Sequence, residues 1–260
     1  VGIALGSFTG GGLFLIAYPQ LGWQNSILTL VIVNLILLII QSLVQERTAQ
    51  IEANKDEKPS LISFLKRENT RNLLYLCLIY RGCEGLVMGM QQPFLVDKQI
   101  EISLIGKVLG ISGLSLSLIA SLLVSICLSN NRENIWLLIL GIMRSICYLA
   151  LAALAYFAIS SHVLIFGVVV TNMACRSMEM VVLYTFFMQN CELKQSATDI
   201  SILLCAEIII YSSGMMLSGY LAKLLGYSGL FAIGSILSLI STAICAYIIY
   251  KIIKRNQYLL

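Results

Sequence analysis

Two short stretches decide the reading of this chain: Leu21-Gly22-Trp23 and, 204 positions later, Leu225-Gly226-Tyr227. The match extends outward from the turn. Gly10 falls on Gly214, Leu13 on Leu217, Leu35 on Leu239 and Ile36 on Ile240. In both places a glycine-rich apolar stretch ends in a short turn built from Leu, Gly and an aromatic residue, and a second apolar stretch follows. Apolar residues alone would produce some coincidences, so the glycines and the turn carry the argument. A parallel internal repeat in a hydrophobic chain implies a membrane protein made of two similar halves, a plan common among transporters.

Composition agrees. Hydrophobic residues make up 58% of the 260 and charged residues 12%, where soluble domains carry about 25%. The mean hydropathy is +0.89. The pI near 8.6 does not imply nucleic acid, because the basic residues sit in short loops where they set membrane topology. Eight cysteines stand at 77, 83, 127, 147, 175, 191, 205 and 245, mostly inside apolar runs and never as CxxC. They read as small helix residues, and no metal site or cofactor is expected. The chain enters an apolar run at Val1 without a basic leader, which is expected of a truncated protein rather than of a signal peptide.

A bilayer crossing needs about 20 apolar residues. Eight runs qualify, near 2–18, 26–45, 72–96, 104–128, 135–158, 162–188, 200–224 and 228–252. The expected fold is therefore all-α and polytopic, with eight transmembrane helices. One long polar stretch, residues 46–71, separates the first two spans from the other six. Within it Leu61, Ile62, Phe64 and Leu65 have the pattern of a short interfacial helix. With that stretch on the cytoplasmic side, the inside segments hold Arg47, Lys55, Lys58, Lys66, Arg67, Arg71, Arg132, Lys194, Lys251, Lys254 and Arg255. The outside holds Lys98 and Lys223, with Lys107 just inside the next helix. This asymmetry places the C-terminus in the cytoplasm.

The repeat pairs spans one and two with spans seven and eight, so its period is six helices. Two six-helix halves make twelve. The chain then corresponds to helices 5–12: residues 1–45 are the last two helices of an N-terminal bundle, 46–71 a cytoplasmic interdomain loop, and 72–260 a C-terminal six-helix bundle.

At this point the chain resembles the major facilitator superfamily. GMQQPFLVDKQIEISLIGKVLG (89–110), QSATDISILL (195–204) and LLGYSGLFAIG (224–234) resemble its branch of siderophore-import and muropeptide permeases, and LGWQNS (21–26) fits the corresponding turn of the first half. There are two departures. The loop between spans four and five, SNNREN (129–134), keeps only Arg132 of the basic signature expected there. Span six reads TNMACRSMEM (171–180) where relatives more often have glycines. The resemblance implies a multi-pass permease of the bacterial inner membrane. It would import a medium-sized solute by alternating access, most simply a siderophore in symport with protons. A muropeptide permease is the alternative, and a non-transporting sensor or remnant the rival from another class. The implied partners are a small-molecule solute, the lipid bilayer and protons, with no nucleic acid.

Six ionisable residues lie deep in apolar runs: Arg81, Glu84, Arg144, Arg176, Glu179 and Glu207. A lone charge at mid-membrane costs about 2.5–3.5 kcal/mol on insertion scales, so these residues must face one another, water or a ligand. Arg81 and Glu84 share a helix face that continues through Met88 to Gln91. Gly82, Gly85, Gly89 and Pro93 surround them, which predicts a weakened or broken helix of the kind that marks transporter sites. The resembling permeases carry an acidic residue where Glu84 stands. Asn172, Arg176 and Glu179 follow i, i+4, i+7 spacing, and Glu207, Tyr211, Gly214 and Ser218 form a third stripe. The expected solute-binding residues are Arg81, Glu84, Gln91, Asn172, Arg176, Glu179 and Tyr211. Glu84 and Glu179 each have an arginine three residues away, whereas Glu207 has no basic neighbour within a turn. That singles out Glu207 as the proton carrier, with Glu84 second.

Arg144 is expected to be peripheral, with a structural partner or a snorkelling side chain. The stripe Gly106, Gly110, Gly113, Ser117, Ser121 and Ser125 predicts close helix packing. His162, the only histidine, falls in an exposed loop. No HExxH, GxSxG or P-loop motif occurs, and no Asp-rich cluster for a prenyl diphosphate, so no enzymatic activity is expected.

Overall fold

Gly22 and Gly226 adopt the same backbone conformation, φ 70°, ψ 173° and φ 69°, ψ 174° respectively. That region is open essentially to glycine alone. The repeat found as letters is therefore also a repeat of geometry. A residue with a Cβ at either place would be strained even though each site has open space around it.

The computed structural model describes residues 14–43, 61–128, 133–159, 161–191 and 195–258. Every long element is helical. Helix α1 is Phe14–Leu43, interrupted at Gly22. The short α2 is Leu61–Lys66 and α3 is Glu68–Asp97. Helix α4 starts at Ile102–Lys107, widens to a π-helical turn at Val108–Gly113, and resumes as Leu114–Cys127. Helix α5 is Glu133–Tyr156, α6 is His162–Asn190, and α7 is Ser196–Tyr258, interrupted at Gly226.

Six of these helices are long and apolar enough to cross a membrane. The last of them counts twice. Its 63 residues would stretch about 95 Å at 1.5 Å per residue, three times the ~30 Å hydrocarbon core. Its contacts with α3 show that it folds back. Ascending α3, Arg67 meets Asp199, Arg81 meets Glu207, Gly85 faces Gly214 and Asp97 meets Tyr227, so the first arm runs parallel to α3. Descending again, Phe94 meets Phe231, Val87 faces Gly234 and Glu68 meets Lys251, so the second arm runs antiparallel. Gly226 reverses the chain without a loop. Counting its two arms separately, seven helical segments long enough to cross lie among the described residues. The run near 2–18 falls mostly outside them, as does most of the 46–71 loop.

The two arms of α7 grip α3 at different heights. At mid-height the first arm comes so close that a Cβ on Gly85 would strike the Tyr211 carbonyl and lie 3.1 Å from Gly214 Cα. This is the small-residue packing by which membrane helices gain contact when lipid supplies no hydrophobic drive. The expected break in α3 does not occur. The helix runs unbroken from Glu68 through Pro93 to Asp97. Pro93 sits in its last turns, and the glycines serve close approach rather than unwinding.

The α4 stripe divides. Gly113 touches Met173, and Ser117 and Ser121 are buried, but Gly106 and Gly110 face open space and Ser125 is exposed. A short helix stands where one was expected, as α2, with Phe64 buried and Leu61 and Leu65 exposed. His162 is exposed, as expected, but it opens α6 rather than sitting in a loop. Helix α1 is the least covered element. Its apolar side chains from Ile27 to Leu43 are largely exposed, with Ser26 buried at the turn.

Candidate functional site

Charges gather where α3, α6 and the first arm of α7 meet. Arg81 on α3 holds two carboxylates: Glu84, one turn along its own helix, and Glu207 of α7, whose Oε1 is 2.7 Å away. Glu84 in turn reaches Arg176 of α6, its Oε1 lying 2.5 Å from Nε. The result is a chain of alternating sign, Glu207, Arg81, Glu84, Arg176, spread over three helices. A second group lies deeper. Arg144 of α5 pairs with Glu179 of α6 at 3.2 Å and donates through Nε to Ser238 at 2.9 Å. The Tyr80 hydroxyl reaches Glu179 at 3.1 Å and the Leu137 carbonyl at 3.0 Å, and the Arg144 guanidinium lies 4.3 Å from the centre of the Tyr80 ring. All six charges expected to need partners have them, three against three, as the cost of unpaired charge in hydrocarbon demands.

The partners differ from the expected ones in two places. Glu207 was expected to lack a cation, yet Arg81 neutralises it from another helix. Neighbours on one helix do not reveal a partner 126 positions away. Arg176 and Glu179, three apart like Arg81 and Glu84, turn in different directions. Arg176 goes to α3 and Glu179 to α5. Arg144 does have the structural partner considered for it, and is fully buried rather than snorkelling.

Beside the first group is a cavity of about 550 Å³. Of the residues expected to bind solute, Arg81, Arg176 and Tyr211 line it, and so does Glu207. Glu84 stands behind the two arginines, 1% exposed, and orders them. Arg176 is the most accessible of the charges at 29%, with its guanidinium 5.2 Å from the Tyr211 ring centre. Gln91 and Asn172 lie elsewhere, hydrogen-bonded to each other at 3.0 Å, with Met88 3.6 Å from the same amide. Each satisfies the other, and they join α3 to α6 rather than face the cavity. Glu179 likewise belongs to the deeper group and not to the lining.

Sequence stripes missed much of the wall. Met180, Tyr184 and Phe187 continue the line of Arg176 down α6, and Leu204 and Ile208 flank Glu207 on α7. The signal was present as i, i+4 spacing from Arg176, but it begins one turn later than the Asn172–Glu179 stripe. One polar atom at the cavity, Arg81 Nε, has no hydrogen-bond partner among the described residues, while Arg176 Nε is taken by Glu84. No family model matches this chain.

Proposed function

We propose that the chain belongs to a secondary transporter of the major facilitator type, located in a bacterial inner membrane with its C-terminus in the cytoplasm. Its solute occupies the cavity between α3, α6 and α7. One observation carries this reading: a sizeable cavity whose wall holds Arg81, Arg176 and Glu207 lies within membrane-crossing helices. Structural charge pairs alone need no cavity. The internal repeat with its two matched glycine conformations supports a two-half architecture, in which halves rock about a central site.

In this reading energy comes from a proton gradient and no enzymatic step is involved. Glu207 is the carrier, because among the described residues it is the one carboxylate lining the cavity and its oxygen lies 2.7 Å from Arg81. A proton on Glu207 removes one of the two counter-charges of Arg81 and loosens the tie between α3 and α7. Glu84, enclosed between two arginines, holds the network together. The resemblance of residues 89–110, 195–204 and 224–234 makes a siderophore the first solute to test and a muropeptide the second.

The test is uptake of labelled ferric siderophore and labelled muropeptide in cells expressing the complete gene. Gradient-driven accumulation of either is the expected result, with accumulation lost and solute exchange kept in Glu207→Gln. Accumulation undiminished in that variant would remove Glu207 as carrier. No uptake of any solute would favour a sensor or a remnant.

A further inference from the structure

The cavity wall has a composition that selects among solutes. Eight of its eleven lining residues are apolar or aromatic, and the three charged ones are not equivalent. Arg81 is engaged by two carboxylates. Arg176 is engaged only through Nε, and among the described residues its two terminal nitrogens meet no acceptor. Those terminal nitrogens belong to the most exposed guanidinium of the network, which lies 5.2 Å from the Tyr211 ring centre in the cavity wall. A planar guanidinium with both ends open is the group best suited to grip a carboxylate in two parallel hydrogen bonds.

We propose that the cavity binds an amphipathic monoanion, with one carboxylate held by Arg176 and a bulky apolar body lying on Met180, Phe187, Leu204 and Ile208. The inference rests on the reading of this cavity as the solute site, and it narrows that reading. An apolar body gains by leaving water for such a wall. A glycopeptide would bring many hydroxyls and amides to a wall with few polar groups, and each one left unbonded opposes binding. Of the two solutes put forward above, the geometry therefore favours a siderophore with a lipophilic body over a muropeptide.

The experiment uses the chain in lipid nanodiscs and three probes. These are 1-pyrenebutyrate, its uncharged match 1-pyrenebutanol, and muramyl dipeptide as a hydrophilic carboxylate. Affinities come from the rise of the unfolding midpoint with probe concentration, with empty nanodiscs as the blank. Pyrenebutyrate should bind roughly tenfold to hundredfold tighter than the alcohol, the usual yield of one charge-assisted pair. It should also bind tighter than the dipeptide. Arg176→Gln should erase the preference for the acid, with the alcohol and the acid then raising the unfolding midpoint alike, and a cooperative melt in that variant shows that it is folded. Arg176→Lys should keep part of the preference.

Muramyl dipeptide binding as tightly as pyrenebutyrate overturns the inference, as does a preference for the acid that survives in Arg176→Gln. The failure of the transport reading looks different. Selective binding of pyrenebutyrate by a protein that moves no solute sinks transport and leaves the ligand class standing. Uptake that pyrenebutyrate does not compete sinks the ligand class alone.

Discussion

Replacing Gly85 by alanine tests the α3–α7 crossing at its closest point. The new methyl group would land on the Tyr211 carbonyl oxygen and lie 3.1 Å from both Gly214 Cα and Met215 N. Non-bonded heavy atoms pack comfortably at about 3.5–4.0 Å, and the carbonyl contact is the tightest, so the helices must part by about 1 Å or more. Overpacking usually costs about 1–3 kcal/mol. Here the obstacle is backbone, which no side-chain rotation relieves, so the cost belongs at the upper end. A second loss adds to it. Glu84 is the adjoining residue and Arg81 lies one turn away, so parting the helices stretches the 2.7 Å bridge from Arg81 to Glu207. A total near 3 kcal/mol would lower the melting temperature by about 6–12 °C, on the scaling for chains of this size. Tryptophan-fluorescence melting in detergent measures it, with two internal controls. At Gly82 a methyl would meet Ile210 at an ordinary 3.6 Å, and at Gly167 it would meet nothing within 4 Å. Gly167→Ala should be neutral or stabilising by up to about 1 kcal/mol through helix propensity. If all three variants melt together, the close crossing is wrong.

Four further outcomes follow from the same geometry. Gly226→Ala forces a side chain into a glycine-only region and should cost about 1–3 kcal/mol in the same melting assay, although the site has room for the methyl group. Arg144→Met and Glu179→Leu should each cost about 3–5 kcal/mol by stranding a buried charge, and the double variant should recover most of the loss. A double variant that melts with the worse single one would argue against direct pairing. Arg81→Gln should lower the amount of folded protein more than Glu207→Gln. Glu84→Gln should rescue it only in part, because Glu207 remains uncompensated. Cysteines placed at Ser60 and Gln257, in a background without native cysteines, should resist an impermeant thiol reagent in intact cells, whereas one at His162 should react. Labelling of Ser60 or Gln257 from outside would invert the topology.

The reversal at Gly226 was legible because a glycine at a fixed place in a repeat marks a conformation that other residues avoid. Among the described residues the helices long enough to span a bilayer were legible because hydrocarbon thickness sets helix length, and their bounds moved by only a few residues. Helix α3, for instance, starts at Glu68 rather than 72. The need for charge compensation could also be read, since six charges within apolar runs must balance. The choice of partner could not. Three-residue spacing leaves two side chains about 60° apart around a helix at 100° per residue. Arg81 and Glu84 close that gap. Arg176 and Glu179 instead follow different neighbours, α3 for one and α5 for the other. Such choices depend on how helices distant in sequence are rotated against each other, and no local pattern encodes that. Gly85 shows the same limit. As a letter it suggested a weak helix, but the approach of Gly214 makes it a contact.

The pairing of three arginines with three glutamates has an electrical consequence. A membrane potential of 100 mV does about 2.3 kcal/mol of work on each elementary charge carried across it. A balanced set of buried ions, displaced as a unit, carries no net charge through that field. The scaffold can then change shape without drawing on the voltage or being held by it. In the transport cycle proposed above, any dependence of the rate on membrane potential then comes from a charge that boards from outside, and counting that charge per cycle would measure the cargo.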